Sequence, residues 1–337
     1  MKVRNKGKIL ACLGVLAVIL LVFAMLELSW AATFIPLNEV IDTIFGHGTW
    51  ANNILVKDNA VRMMMALMVG AGLAVCGCTM QAIFRNPMAS PYIVGLSSGA
   101  SLGAAIGILV TIPMIPFFLL APVLSFVFCL LTMFLVYGVS RMGGKTHTET
   151  LILTGIAVSS LLTAIVSFLT FIAGDAMADI VFWNMGSLAR ADLTEAVIVA
   201  PIILVGILLV ISYSKDLNAM MLGDHHAMDL GIDVSKVRLS LLIITTLIVA
   251  AAVAFAGAIG FVGLVIPHIF RIILGPDNRV LIPISAIGGA AFLMMCDFFA
   301  HIVAPQYGVL PVGILTAMIG APYFIYLLRR KKNEVGW

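Results

Sequence analysis

The stretch KDLNAMMLGDHHAMDLGIDVSKVR, residues 215–238, decides how the rest of this 337-residue sequence is interpreted. It is the longest charged interruption after residue 60 in an otherwise apolar chain. Two short amphipathic pieces, AMML and HHAMDLG, are hinged at Gly223 and closed by Gly231. Glycine suits both places because it has no Cβ to oppose the end of a helical turn. We expect this segment to present an apolar face to a soluble partner.

The sequence on both sides of this segment has the composition of a polytopic membrane protein. Hydrophobic residues make up 62% of the chain and charged residues 10%, and the mean hydropathy is +1.15, which excludes an ordinary soluble domain. A helix needs about 20 apolar residues to cross the bilayer core. We therefore predict one all-α transmembrane domain over residues 1–337. Its ten predicted spans are 9–28, 61–84, 93–112, 117–139, 150–173, 196–211, 239–256, 259–274, 280–299 and 312–328.

The basic residues set the orientation of these spans. With the N-terminus inside, all but three of the 19 Lys and Arg residues fall in cytoplasmic segments, the exceptions being Lys57, Arg62 and Arg190. The positive-inside rule then places both termini and residues 215–238 in the cytoplasm. The first apolar run is too long for a cleaved signal and is interpreted as a retained helix. The net charge of +3 follows from this topology and indicates no nucleic-acid partner.

Small and hydroxyl residues recur every four positions along the fifth predicted span, which puts them on one helix face. This face consists of Gly155, Ser159, Thr163 and Ser167. It fits either the wall of a water-lined path or hydroxyl groups that bond to neighbouring helices. Thr148 and Glu149, at the cytoplasmic entrance of the same span, are polar enough to form a gate.

Residues with obvious chemistry are few. Asp297 is interpreted as the one acid well inside a span, near its outer end and close to His301. An intramembrane acid is a functional candidate, although the imidazole also offers it a structural partner. The five cysteines fall in predicted spans and suit packing better than disulfides or metal ligation. We find no Walker-type glycine loop, no His-Glu-x-x-His and no paired carboxylates on one membrane face. The sequence therefore predicts no catalytic site, no metal site and no cofactor in this chain.

Four motifs carry a resemblance to a known family. They are RNPMASPYIVGLSSGA (85–100), NAMMLGDHHAMDLG (218–231), GAIGFVGLVIPHIFRIILGPDNRVLIP (257–283) and LPVGILTAMIGAPYFIYLL (310–328). In this order and spacing they resemble the FecCD family, the permeases of type II ABC importers for iron-siderophores, haem and vitamin B12. The resemblance extends from about Arg62 to Arg329.

The resemblance implies a homodimer of ten-helix subunits in the cytoplasmic (inner) membrane, surrounded by lipid, with the transport path at the two-fold axis. Two cytoplasmic ATPase subunits would hold ATP and Mg, and an extracytoplasmic binding protein would deliver the cargo. A ferric siderophore is the expected cargo, with haem, cobalamin or an oxyanion as alternatives. Two other classes stay open: an ion-coupled secondary carrier, which usually buries several ionisable groups, and an intramembrane enzyme using Asp297 and His268.

The resemblance also assigns roles to individual residues. The residues expected to rest in a cleft of the ATPase are Met220, Met221, Leu222, Gly223, Asp224, Ala227, Leu230 and Gly231. The gate maps to Thr148 and Glu149, and the wall of the path maps to the stripe that contains Ser159. Many members have Arg-Leu-Pro-Arg where this chain has Asn59, Ala60, Val61 and Arg62, and often Arg where His301 stands. Docking of the binding protein is therefore expected at Lys57, Arg62, Arg190 and His301.

Overall fold

The prediction of an all-α architecture is confirmed in the computed structural model, which describes residues 6–30, 34–110, 117–142, 145–146, 148–303 and 308–334. Within these ranges, one antiparallel pair of two-residue strands, β1 (Arg141–Met142) and β2 (Lys145–Thr146), precedes the sixth helix. The helices are α1 (Lys6–Ser29), α2 (Leu37–Ile44), α3 (Trp50–Ile83), α4 (Leu96–Leu109), α5 (Phe117–Ser140), α6 (Thr148–Ile172), α7 (Met177–Met185), α8 (Leu193–Ser212), α9 (Ser214–Met221), α10 (Asp224–Asp229), α11 (Val234–Ala256), α12 (Val262–Leu274), α13 (Asn278–Ile302) and α14 (Val312–Glu334).

Ten of these helices correspond to the ten predicted spans. Among the described residues, seven helices are long and apolar enough to cross a membrane, namely α1, α3, α5, α6, α8, α11 and α13. The apolar parts of α4, α12 and α14 are shorter, at 10–17 residues each. α12 is short, at 13 residues, and it continues through Pro267 without a break.

The start of α3 differs from the predicted one. The second predicted span begins at residue 61, but residues 30–60 contain α2, and α3 begins at Trp50. The side chain of Thr49 caps α3 by accepting a hydrogen bond from the backbone N–H of Asn52, a common way to start a helix. Hydropathy marks where a helix enters the bilayer rather than where its hydrogen bonding begins, so the polar first turns of α3 were missed.

Glycine pairs bring α3 into direct backbone contact with its neighbours. A Cβ on Gly70 of α3 would overlap the carbonyl of Gly289 on α13, and a Cβ on Gly77 would overlap that of Gly263 on α12. Lipid supplies little hydrophobic drive for helix association, so close backbone approach through small residues is the means of tight packing. Most of the second half of α3 is buried as a result. This helix is the centre of the bundle.

Candidate functional site

The predicted amphipathic pieces form two short helices, α9 and α10, which together we call the hinged pair. Gly223 separates them with a φ of +129°, a backbone conformation that favours glycine. Beside the hinge Leu222 is 71% exposed, and after α10 Leu230 is 68% exposed. Large apolar side chains this exposed, at the end of the bundle where α3 ends and α11 begins, form a surface suited to a partner protein.

Other members of the predicted contact set face inward. Met220 and Ala227 are buried and pack with Val234 at the start of α11. Met221 is half-buried, with its Sδ 3.3 Å from Nδ2 of Asn278. These three side chains hold the hinged pair against the bundle. Met228, which is 49% exposed, was not in the predicted set; its apolar side chain within the polar run DHHAMD is the signal that could have identified it.

Two arginines from different helices fix Asp224, the first residue of α10. Arg85, just beyond the end of α3, makes an ion pair with Oδ1 of Asp224, and its Nε donates to the carbonyl of Met220 at 2.8 Å. Arg238 on α11 donates from Nη2 to Oδ2 of Asp224 at 2.9 Å. These hydrogen bonds join the hinged pair to α3 and to α11. They are charge-assisted, which makes them stronger than hydrogen bonds between neutral groups.

A third connection joins the hinged pair to α13. Nδ2 of Asn218 donates to Oδ1 of Asp277 at 2.8 Å, and Oδ1 of Asn218 accepts from the backbone N–H of Asn278 at 2.8 Å. Asp277 is also the N-cap of α13. Its hydrogen bonds, first from Arg279 and then from Asn218, lower the pKa of Asp277 to about 2, and these effects outweigh desolvation. Asp277 therefore remains an anion at physiological pH.

The polar stripe of α6 lies partly at the crossing with α4. Gly155 is buried against the backbone at Ile93, and the hydroxyls of Thr163 and Ser98 are 3.4 Å apart. Ser167 is exposed, and its hydroxyl donates to the carbonyl of Thr163. Thr163 therefore makes the interhelical hydroxyl contact that one alternative described, and both Thr163 and Ser167 also have accessible surface. Thr148 and Glu149 form the first turn of α6, where Glu149 is exposed.

Four ionisable side chains, Glu27, Arg62, Asp297 and His301, meet at the opposite end of the bundle and form what we call the charged cluster. Nη2 of Arg62 is 2.7 Å from Oε1 of Glu27, and its Nε is 2.9 Å from Oδ2 of Asp297. Both carboxylates are fully or almost fully buried, and the Arg62 side chain is 11% exposed. Nδ1 of His301 is 2.8 Å from the carbonyl oxygen of Asp297, to which it donates when it carries the proton.

The charged cluster alters two expectations from the sequence. Asp297 was interpreted as the one acid well inside a span, with no paired carboxylate; Glu27 in the last turn of α1 is buried beside it, so that interpretation was wrong. Arg62 and His301 were expected to dock a binding protein, but here their polar groups face this cluster. Lys57 and Arg190 are exposed.

The cluster contains the one set of potential metal ligands among the described residues. Ligand atoms of Glu27, Asp297 and His301 lie within 4.8 Å of one another. The guanidinium of Arg62 bonds to both carboxylates and is already their counter-ion. A metal ion would have to compete with this buried cation, so the geometry favours an ion-pair network that ties α1, α3 and α13 together.

Comparison with known proteins agrees with these features. The profile of the FecCD transport family matches residues 19–330. The chain is 42% identical over 305 residues to the cobalamin import system permease protein BtuC of Halobacterium salinarum, covering 90% of this chain and 80% of that protein. It is 35% identical over 332 residues to the hemin transport system permease protein HmuU of Yersinia pestis, covering 96% of each.

A solved structure supports the same assignment. A metal-chelate type ABC transporter in an inward-facing conformation matches with a TM-score of 0.82 and 29% identity, covering 95% of this chain and 99% of that one. Family, relatives and fold agree over nearly the whole length, which confirms the resemblance seen in the four motifs. The chain belongs to the FecCD transport family and is a multi-pass membrane permease of the ABC importer type.

Proposed function

We propose that this chain carries a bulky metal chelate inward without changing it chemically, by alternating access, driven by separate ATPase subunits. The observation that carries the proposal is the hinged pair. It exposes Leu222 and Leu230 while Asp224 and Asn218 join it to three membrane helices. A force applied to this surface by a soluble partner would therefore reach α3, α11 and α13 directly.

The cargo class rests on the relatives. The names of two of them specify cobalamin and hemin, and the solved neighbour is of the metal-chelate type. A ferric siderophore, haem and cobalamin all combine a metal with a large polar and apolar ligand, and a path lined by Ser, Thr and Gly suits such cargo because it offers hydrogen bonds without narrow shape selection. We propose these three chelates as the candidates.

The path itself is proposed to lie between two copies of the chain. α6 exposes hydroxyl groups at Ser160, Thr163 and Ser167, a polar surface that lipid tails would not solvate. A second copy facing this surface would enclose the hydroxyls in a wet path, with Thr148 and Glu149 as its gate. We propose that the dimer lies in the cytoplasmic membrane with both termini and the hinged pair in the cytoplasm, as the basic residues indicate.

Docking of an external binding protein is proposed at the end of the bundle that carries the charged cluster. Lys57 and Arg190 are exposed cations and would meet acidic groups on that protein. Arg62 would support this surface from below by fixing α3 to α13, while His301 bonds to Asp297 within α13.

Reconstitution tests the proposal. The chain is expressed with its cognate ATPase, purified as a complex and inserted into liposomes. ATP supplied to the ATPase side should drive uptake of at least one probe among ferric dicitrate, haemin and cyanocobalamin when the cognate binding protein is present. Uptake by the permease alone, driven by an ion gradient, would contradict it.

A further inference from the structure

Arg85 occupies a backbone position that usually belongs to glycine. The end of α3 forms a Schellman motif, in which the backbone N–H of Arg85 bonds to the carbonyl of Ala82 and that of Asn86 bonds to the carbonyl of Gln81. The residue in the place of Arg85 takes a left-handed conformation, and its φ is +49°. A side chain with a Cβ is strained there, so the turn alone would favour glycine.

The side chain of Arg85 gives a reason for this exception. Its guanidinium contacts both halves of the hinged pair, because Nε bonds to the carbonyl of Met220 in α9 and Nη2 pairs with Asp224 in α10. Arg85 therefore contacts the pair on each side of Gly223, the point at which the two short helices can move relative to each other. A residue that tied down only one helix would not control the hinge.

Asp224 completes the connection. Its two carboxylate oxygens take one arginine each, Arg85 from α3 and Arg238 from α11. The Arg238 side chain is 7% exposed, so it is anchored in the bundle rather than in solvent. Surface ion pairs contribute little, but here a single carboxylate joins three elements, and displacement of α10 must pull on two membrane helices.

We propose that Arg85 and Asp224 are the positioning residues that transmit movement of the hinged pair to α3 and α11. This inference rests on the proposed function, because it concerns how the ATPase drives this permease. It separates two properties of this region: Leu222 and Leu230 would bind the ATPase, while Arg85, which is outside the expected contact set, would pass on the movement of Asp224 without being needed for that binding.

The chain offers a matched control within the same polar segment. Lys236 and Asp233 form an ion pair of 3.0 Å between exposed side chains at spacing i,i+3, at the start of α11. This pair joins no second helix. Replacing it removes the same type of interaction without cutting a connection to the membrane helices.

The test measures, without any cargo, how α6 responds when the ATPase is trapped in one state. Ser159→Cys is introduced together with Cys12→Ser, because Cys12 is only partly buried whereas the other four cysteines are buried. The permease–ATPase complex is labelled with a maleimide, before and after trapping with ATP and vanadate. In the parent complex the labelling rate should change about tenfold on trapping, within the range of typical allosteric coupling.

Arg85→Gly and Asp224→Asn are then compared with Asp233→Asn. We expect Arg85→Gly to keep the ATPase bound, to keep ATP hydrolysis within about twofold of the parent and to reduce the response at Ser159→Cys to under about twofold. Its melting temperature should be equal or higher, since glycine relieves the left-handed strain. Arg85→Lys, which keeps one cation, should restore part of the response, and Asp233→Asn should keep all of it.

Each other outcome contradicts a specific statement. If Arg85→Gly and Asp224→Asn respond like the parent, or if Arg85→Gly loses the ATPase altogether, the transmitting role is wrong. If the parent complex itself binds and hydrolyses ATP with no change at Ser159→Cys, alternating access driven by the ATPase fails, and the proposed function falls together with this inference.

Discussion

Arg62 and Asp297 are separated by 235 positions in the sequence, yet Nε of Arg62 lies 2.9 Å from Oδ2 of Asp297 in the charged cluster. Glu27 shares the same guanidinium. One largely buried cation thus pairs with carboxylates from two other helices. Ile83, the last residue of α3, lies 21 positions after Arg62, which is about 32 Å of helix and roughly the thickness of the hydrocarbon core.

Removal of this cation should destabilise the protein strongly. Arg62→Gln would leave Glu27 and Asp297 buried without a counter-ion, a change that typically costs about 3–5 kcal/mol. Thermal unfolding in detergent should show a much lower melting temperature for Arg62→Gln than for the parent protein. Arg190→Gln is the control, because that side chain is exposed and surface changes stay within about 0.5 kcal/mol. Equal melting temperatures of the two variants would show that the charged cluster does not stabilise the fold.

The glycine contacts of α3 give a second prediction. Gly77→Ala would place a methyl group against the carbonyl of Gly263, where there is no space, and should cost about 1–3 kcal/mol through overpacking. Gly138→Ala in α5 is the matched control because nothing lies within 4 Å of the added Cβ. That change should be neutral or stabilising. If both variants melted alike, the close approach of α3 and α12 would be wrong.

The exposed leucine at the hinge should affect binding and not folding. Leu222→Ser removes a side chain that is 71% exposed, so the melting temperature should stay unchanged. Affinity for the ATPase should fall by more than about fivefold if this residue is an interface hot spot. Asp229→Asn, an exposed change in the same pair, should bind normally. Equal affinity of both variants for the immobilised ATPase would place the interface elsewhere.

The anchor at Asp277 has a defined dependence on pH. Because the folded pKa of about 2 lies below the ordinary value of 3.8, the ionised side chain contributes stability that is fully present above pH 3.8. This contribution is lost as the pH falls through 2. The difference in melting temperature between the parent protein and Asp277→Asn should be constant above about pH 4 and shrink below it. A constant difference across this window would show that the Asp277 charge is not involved.

Much of this architecture could be predicted because membrane helices are recognised in a sequence by their length and their apolar composition. The ten spans and the glycine hinge at Gly223 follow from local patterns. The pairing of Glu27 with Arg62 does not, since 35 positions separate the two residues and an acid in the last turn of an apolar run looks like an interfacial residue.

Within the hinged pair, the sequence could not distinguish inward from outward apolar residues. Met220 is buried and Leu222 is exposed, although both are apolar and two positions apart. Helices of eight and six residues are too short for a 3.6-residue period to indicate which face is buried. The left-handed conformation of Arg85 was equally hidden, because nothing in the motif RNP specifies it.

We infer that the permease has no motor of its own and is driven through the hinged pair. The decisive experiment measures uptake into liposomes, with the chain reconstituted alone or with its ATPase, in the presence of the binding protein and a probe chelate. We expect concentrative uptake only with the ATPase and ATP, and its loss in Asp224→Asn. Concentrative uptake by the chain alone, without any nucleotide, would show that transport does not depend on a separate ATPase.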